Sequence, residues 1–368
     1  MTCAPPGSTV DAAKQGCDVV IELRSDTFTM PTPAMVQSIV DAELGDDVYG
    51  EDPTVSQLEK LAAEVVEKEA ACLMPSGTMA NLSSIMAQVP RGAKILVGNE
   101  SDIYVYEAGG VSVCGGIVYH PVPNQSDGRI LLSDLEAALP DDPEDPQFPI
   151  PRLICLENTH NRCGGAVLPL AYLREVREFA DQQQLPVHLD GARVFNAAVG
   201  LDVPVAEIAQ YADSVQFCLS KGLSAPVGSV VVGTVEFVRA VRRIRKMLGG
   251  GMRQAGIIAA PGILAIESFG RLVADHHNAA RLAEGLRGVP GIELDPVTVR
   301  TNIVIFRVTD VRFTWQTFAA AVGELGLAIA DVGHGRLRAV THSGVSSEQV
   351  EQAIAIVAQV LERGGTRF

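Results

Sequence analysis

The run Ser214-Val215-Gln216-Phe217-Cys218-Leu219-Ser220-Lys221-Gly222-Leu223 puts an amine just past an apolar strand, Val215 to Leu219, and just before a glycine. The chain has only six lysines. Lys14 falls in a polar N-terminal stretch, Lys60 and Lys68 lie among glutamates on a helical face, and Lys94 sits beside Gly92 in what reads as a loop. Lys246 stands with Arg242, Arg243 and Arg245 in a candidate anion-binding cluster. An amine at a strand end, partly out of water, loses preference for its charged form and becomes able to form imines. A structural role for Lys221 fits its local sequence equally well, so the rest of the chain has to decide.

Working outward, short apolar runs alternate with helical patterns from about residue 55 to 250. Strands are expected at Lys94 to Val97, Gly116 to Tyr119, Leu153 to Glu157, Val187 to Asp190, Val215 to Leu219 and Ser229 to Val232. That alternation predicts an α/β fold with a mostly parallel sheet, whose ligand lies beyond the carboxyl ends of the strands. After Gly249-Gly250-Gly251 comes a long helical pattern, Gln254 to Leu272 and on past His277. Strand-like segments follow at Asn302 to Val308 and Arg336 to Val340, around a helical stretch near Phe318 to Leu325. The expected organisation is a flexible tail over 1–19, a large domain over 20–255 and a smaller α+β domain over 256–368.

The 368 residues are 47% hydrophobic and 20% charged, with a formal charge of -15. Such an acidic chain is repelled by phosphate backbones and anionic lipid, which argues against nucleic-acid and membrane partners. Seven cysteines without a C-x-x-C pair read as reduced thiols, and no apolar run reaches the length of a membrane helix. A soluble, cytoplasmic protein is expected.

Two further segments give Lys221 company. Val187-His188-Leu189-Asp190-Gly191-Ala192-Arg193 is a short strand ending in a carboxylate, 31 positions before the lysine. Pro75-Ser76-Gly77-Thr78-Met79-Ala80-Asn81 is a glycine turn entering an apolar helix, whose free backbone amides suit a phosphate. Each alone also reads as an ordinary strand end or helix cap. Together, a phosphate cup, a carboxylate for a pyridinium nitrogen and an imine-forming lysine are the three handles of pyridoxal 5'-phosphate. No strand is followed by G-x-G-x-x-G, which argues against a nicotinamide-dependent dehydrogenase.

These segments bring out a resemblance. L-R-S-D-T-F-T (Leu23 to Thr29), G-D-D-V-Y-G-E-D-P-T-V (Gly45 to Val55), P-S-G-T-M-A-N, E-A-G-G (Glu107 to Gly110), E-N-T-H-N (Glu157 to Asn161), H-L-D-G-A-R-V-F-N-A, C-L-S-K-G-L-S-A-P-V-G-S, R-K-M-L-G-G-G-M-R-Q (Arg245 to Gln254) and V-T-H (Val340 to His342) occur in that order. The chain resembles the low-specificity L-threonine aldolases, close to the β-eliminating lyases, in the aspartate-aminotransferase-like fold type I of pyridoxal-phosphate enzymes. The resemblance implies that Lys221 carries the cofactor, that Asp190 pairs with its ring nitrogen, and that Gly77 and Thr78 hold its phosphate. It implies that Ser25, Arg193 and Arg338 gather at the substrate carboxylate and cofactor oxygens, with Tyr49 among the substrate-binding residues. His160 would face the substrate's β-hydroxyl, and Lys246 and Arg253 would approach the phosphate from a neighbouring subunit of a homodimer or homotetramer.

The implied reaction is retro-aldol cleavage of an L-β-hydroxy-α-amino acid to glycine and an aldehyde. β-Elimination, racemisation and a non-catalytic cofactor-binding role are the alternatives. The chain departs from the family pattern at one place. Five residues before Glu107, where these aldolases usually carry a ring-stacking histidine, stands Asp102. Asp102 is therefore expected either to handle a catalytic proton or water, or to recognise a cationic or hydroxylated substrate side chain.

Overall fold

Ser214–Cys218 is buried at every position, as expected of a strand with neighbours on both edges and helices on both faces. The computed structural model describes residues 20–294 and 299–364, so the expected tail, with Lys14, Cys3 and Cys17, lies outside the described residues. In chain order the strands are β1 (Ile21–Glu22), β2 (Ala70–Met74), β3 (Lys94–Gly98), β4 (Val118–Val122), β5 (Pro151–Glu157), β6 (Val187–Asp190), β7 (Ser214–Cys218), β8 (Ser229–Gly233), β9 (Ile292–Leu294), β10 (Ile303–Val308), β11 (Leu327–Ala328), β12 (Ala330–Asp331) and β13 (Leu337–Val340).

Seven of them form one sheet in the order β2-β8-β7-β6-β5-β3-β4, with β8 alone running against its neighbours. The register sets Glu157 of β5 opposite Asp190 of β6, and Asp190 opposite Gln216 of β7. Paired residues share a sheet face, so three polar side chains line up at the carboxyl edge. A second, antiparallel sheet runs β12-β13-β10-β9, and β1 pairs with β11.

The large sheet packs around Leu96, Ile154, Leu189, Val215, Phe217 and Val230, and the small one around Val304, Phe306, Leu337 and Val357. The two cores do not divide cleanly at residue 255. Ala259, Ile263 and Ile266 of helix Gly256–Glu267 join the first core, while Ile21 and Leu23 join the second.

Several expectations need correction. Strand β2 was not foreseen; it forms because its backbone ladders with β8. Gly116 lies at a positive φ of 63°, so β4 starts only at Val118 and places His120 in mid-strand. Lys94 opens β3, as the strand expected at Lys94 to Val97 has it, rather than lying in a loop beside Gly92; it is buried, and its Nζ donates to the Ala138 carbonyl at 2.9 Å. The helical stretch after the triple glycine breaks, since Gly256–Glu267 and the segment Phe269–Arg287 meet at 57°. Ser268 Oγ there turns back onto the Leu264 carbonyl at 2.6 Å, which competes with helix continuation, and Gly270 follows. His276, early in the second of these helical segments, is partly buried, with its Nε2 3.1 Å from Asn196 Nδ2.

Candidate active site

Beyond the carboxyl edge of the large sheet lies a cavity of about 360 Å³. Gly77 and Thr78 enter it at the start of helix Gly77–Gln88, Asp190 from the end of β6, Lys221 from the loop after β7, and Asp102 from a short helical turn after β3. Ser76 caps the helix, accepting from the Met79 amide at 3.2 Å. The amides of Gly77 and Thr78 have no acceptor within the helix and are left for a ligand. Glycine at 77 is required by close approach, because a Cβ there would lie 2.9 Å from Cys218 Sγ. Lys221 is anchored through its carbonyl, which accepts from Thr29 Oγ1 at 2.9 Å and the Ser224 amide at 2.8 Å.

Asp190 is buried and accepts three hydrogen bonds: Gln216 Nε2 at 2.5 Å, Asn81 Nδ2 at 2.9 Å and the Ala192 amide at 3.1 Å. Burial pushes its pKa up, and the charge of Lys221 opposes that rise. The lysine corrects an expectation. Burial alone would favour the neutral amine, but Cys218, Asp102 and Asp190 outweigh it and hold the pKa above the ordinary lysine value. In the cofactor-free chain Lys221 is thus an ammonium balancing acidic neighbours.

Arg193, expected at the substrate carboxylate and cofactor oxygens, has one edge of its guanidinium filled. Its Nε and Nη2 donate to Asp26 at 2.8 and 2.7 Å, both partners are buried, and Asn302 Nδ2 adds a third contact to Asp26 at 3.2 Å. Ser25, also buried, lies beside the pair, its Oγ 3.4 Å from Asp26 Oδ1. Burial disfavours the Asp26 charge, but Arg193, Lys221 and Asn302 prevail and hold its carboxyl well below its ordinary value of 3.8.

A depressed carboxyl stabilises the fold above its unfolded pKa and loses that contribution as pH falls below it. Asp26→Asn is therefore expected to lower unfolding free energy near pH 7 by about 3–5 kcal/mol, because it strands a buried guanidinium. In denaturant titrations the gap between variant and wild type should close as the pH drops below about 3.8.

His160 stands elsewhere than expected. It is 1% exposed, packs against Gly128, finds no hydrogen-bond partner for either ring nitrogen among the described residues, with Nδ1 3.8 Å from Glu157 Oε1, and does not line the cavity. Burial pulls its pKa down to about 4, so it is neutral at physiological pH. Its neighbour Asn161 does not line the cavity either but contacts a residue that does, donating to Asp102 Oδ1 at 3.1 Å and accepting from Arg338 Nη1 at 2.5 Å. Glu157 Oε2 accepts from the Asp102 amide at 2.7 Å and fixes that turn.

Lys246, Arg253 and Tyr49 do not reach the cavity of their own chain. All three are exposed, Tyr49 at 74%, and they are gathered by the loop around Gly251, where the Asp47 amide donates to the Arg253 carbonyl at 2.9 Å. Among the described residues, the expected basic cluster is divided: Arg245 binds Asp47 at 2.7 Å and Arg242 binds Glu59.

Asn81, Gln216, Glu107, Asn161 and Asp26 were not singled out from the sequence. Gln216, a lone amide inside an apolar strand, carried a readable signal; the others lay in quoted motifs without any mark of their partners.

A sequence profile of the beta-eliminating lyase family matches residues 22–309. A probable low-specificity L-threonine aldolase 2 of Arabidopsis thaliana is 42% identical over 343 residues, covering 92% of this chain and 97% of the relative. The low specificity L-threonine aldolase of Escherichia coli K12 is 43% identical over 339 residues, covering 91% and 98%. A solved threonine aldolase from Leishmania major superposes with a TM-score of 0.78 at 19% identity, over 92% of this chain and 98% of its own. The architecture is the aspartate-aminotransferase-like fold of the pyridoxal-phosphate enzymes. The chain belongs to the beta-eliminating lyase family, alongside these low-specificity L-threonine aldolases.

Proposed function

We propose that this protein uses pyridoxal 5'-phosphate to cleave an L-β-hydroxy-α-amino acid into glycine and an aldehyde. The observation that carries the reading is the convergence of Lys221, Asp190 and the helix start at Gly77 and Thr78 on one cavity. The donor set fits the cofactor: Lys221 would hold its aldehyde carbon, Asp190 its ring nitrogen, and the Gly77 and Thr78 amides its phosphate. When bound, the cofactor supplies an electron sink for the pair released as the Cα–Cβ bond breaks.

The protein's own groups do the rest. Asp190, held by three donors, presents a fixed carboxylate to the ring nitrogen. Asp102 lines the cavity and is the base for the substrate's β-hydroxyl proton, with Asn161 holding its carboxylate in place. Arg338, tied to the same Asn161, supplies the guanidinium for the α-carboxylate, with Ser25 nearby; Arg193 supports them by fixing Asp26. Lys246, Arg253 and Tyr49, beside exposed Val48 and Met247, suit a homodimer or homotetramer in which they face a neighbour's cavity.

A panel of β-hydroxy amino acids, including L-threonine and members with basic side chains, should release glycine and the matching aldehyde in equal amounts. A 2-oxo acid with ammonia as the products would replace this reading with β-elimination.

A further inference from the structure

Asn81 is the junction of the buried polar groups under the cavity. Its Nδ2 donates to Glu107 Oε1 at 2.8 Å and to Asp190 Oδ2 at 2.9 Å, so both amide hydrogens go to carboxyl oxygens. Its Oδ1 lies 3.0 Å from His188 Nε2, and His188 Nδ1 lies 2.9 Å from Ser214 Oγ. Ser214 Oγ in turn accepts from Gln88 Nε2 at 3.0 Å. With His188 neutral, only one hydrogen assignment satisfies every link. Gln88 donates to Ser214, Ser214 donates to His188 Nδ1, and neutral His188 donates from Nε2 to Asn81. Burial keeps His188 neutral by lowering its pKa to about 3. The chain therefore runs one way and ends on two acceptors, Glu107 Oε1 and Asp190 Oδ2.

That direction settles where a proton on Glu107 resides. Oε1 is committed as an acceptor, whereas Oε2 is buried without any hydrogen-bond partner among the described residues, although Glu107 lines the cavity. An ionised Oε2 there would be a buried charge with no donor, next to a second carboxylate on the same bridge. We propose that Glu107 is a neutral carboxylic acid with its proton on Oε2, a positioning residue that donates to a ligand oxygen in the cavity and leaves Asp190 as the only negative charge on the Asn81 bridge. This rests on the functional reading above only for the identity of the ligand.

The surroundings agree. Burial and the charges of Asp190 and Asp102 push the Glu107 pKa to about 9, against the opposing pull of Asn81 and Lys221. The other titratable neighbours, Tyr119 of β4 and Cys155 of β5, are raised by burial and stay uncharged near neutrality.

The test is an infrared difference titration of wild type against Glu107→Gln, on the holoenzyme and on the cofactor-free chain. A protonated-carboxyl band belonging to Glu107 should be present at pH 7 and vanish in the cofactor-free chain as the pH passes about 9. Kinetically, Glu107→Ala should lower kcat/KM by about tenfold or more, and Glu107→Gln should recover most of that loss because its amide donates from the same place. It should also remove the alkaline limb of the pH profile. No protonated band at pH 7, or no rescue by glutamine, overturns the proposal. If Glu107→Ala does not fold, the wild-type and glutamine spectra decide alone. Glycine release from a protein whose Glu107 is ionised at pH 7 sinks this proposal and spares the aldolase reading; the band without glycine release does the reverse.

Discussion

Lys221→Ala is expected to abolish the visible absorbance of the lysine-bound cofactor and to reduce glycine release on the order of 10³-fold or more. The other described lysines cannot substitute. Lys68 and Lys94 spend their amines on the carbonyls of Ala212 and Ala138 at 2.8 and 2.9 Å, Lys60 sits in an exposed pair with Glu64 at 3.8 Å, and Lys246 lies outside the cavity. Lys221→Arg separates nucleophile from charge. It restores a cation beside Asp190 and Asp102, but a guanidinium stays protonated and cannot attack a carbonyl. The arginine variant should therefore fold as well as wild type and remain inactive, as read by circular dichroism and the glycine assay. Activity in the arginine variant would mean that the amine acts only through its charge.

Asp102→Asn is expected to lower kcat by about 10²–10⁴-fold, the range for removing a positioned general base, with a smaller effect on KM. The substitution is nearly isosteric and leaves the backbone contact from the Asp102 amide to Glu157 intact, so the loss would report the missing proton acceptor. His160 supplies the contrast. Its ring is buried outside the cavity, so His160→Gln should change kcat by less than about tenfold. The reverse ranking would move the base to His160 and require the strand-end loop to rearrange when substrate binds. Asp102→His adds a test of recognition: if it gains threonine cleavage yet keeps the wild-type preference unchanged, Asp102 does not select the substrate side chain.

The strands that flank the site were legible because each is a short, mostly apolar run bounded by polar or glycine-containing segments, and Val187–Asp190 has the bounds expected of it. Strand β2 was not, since Ala70-Ala71-Cys72-Leu73-Met74 lacks β-branched residues and owes its conformation to β8. At the site, Lys221, Asp190, Gly77, Thr78 and Asp102 were each marked by local context and do converge. What escaped the sequence was the pairing. Nothing near Asp26 signals that it fills one edge of the Arg193 guanidinium, and nothing in Glu157-Asn158-Thr159-His160-Asn161 tells which of His160 and Asn161 contacts Asp102. Those outcomes depend on contacts between residues far apart in the chain, and the electrostatics follow from them. The retained charge of Lys221 is set by Cys218, Asp102 and Asp190, not by its strand-end position alone.

The most direct measurement is reductive trapping: treat the pyridoxal-phosphate-loaded protein with borohydride, digest it and locate the pyridoxyl group by mass spectrometry. The expected result is one adduct per chain, on Lys221. An adduct on Lys246 or another lysine, or none at all in a protein that retains its activity, would contradict the assignment of the cavity beside Asp190 as the catalytic site.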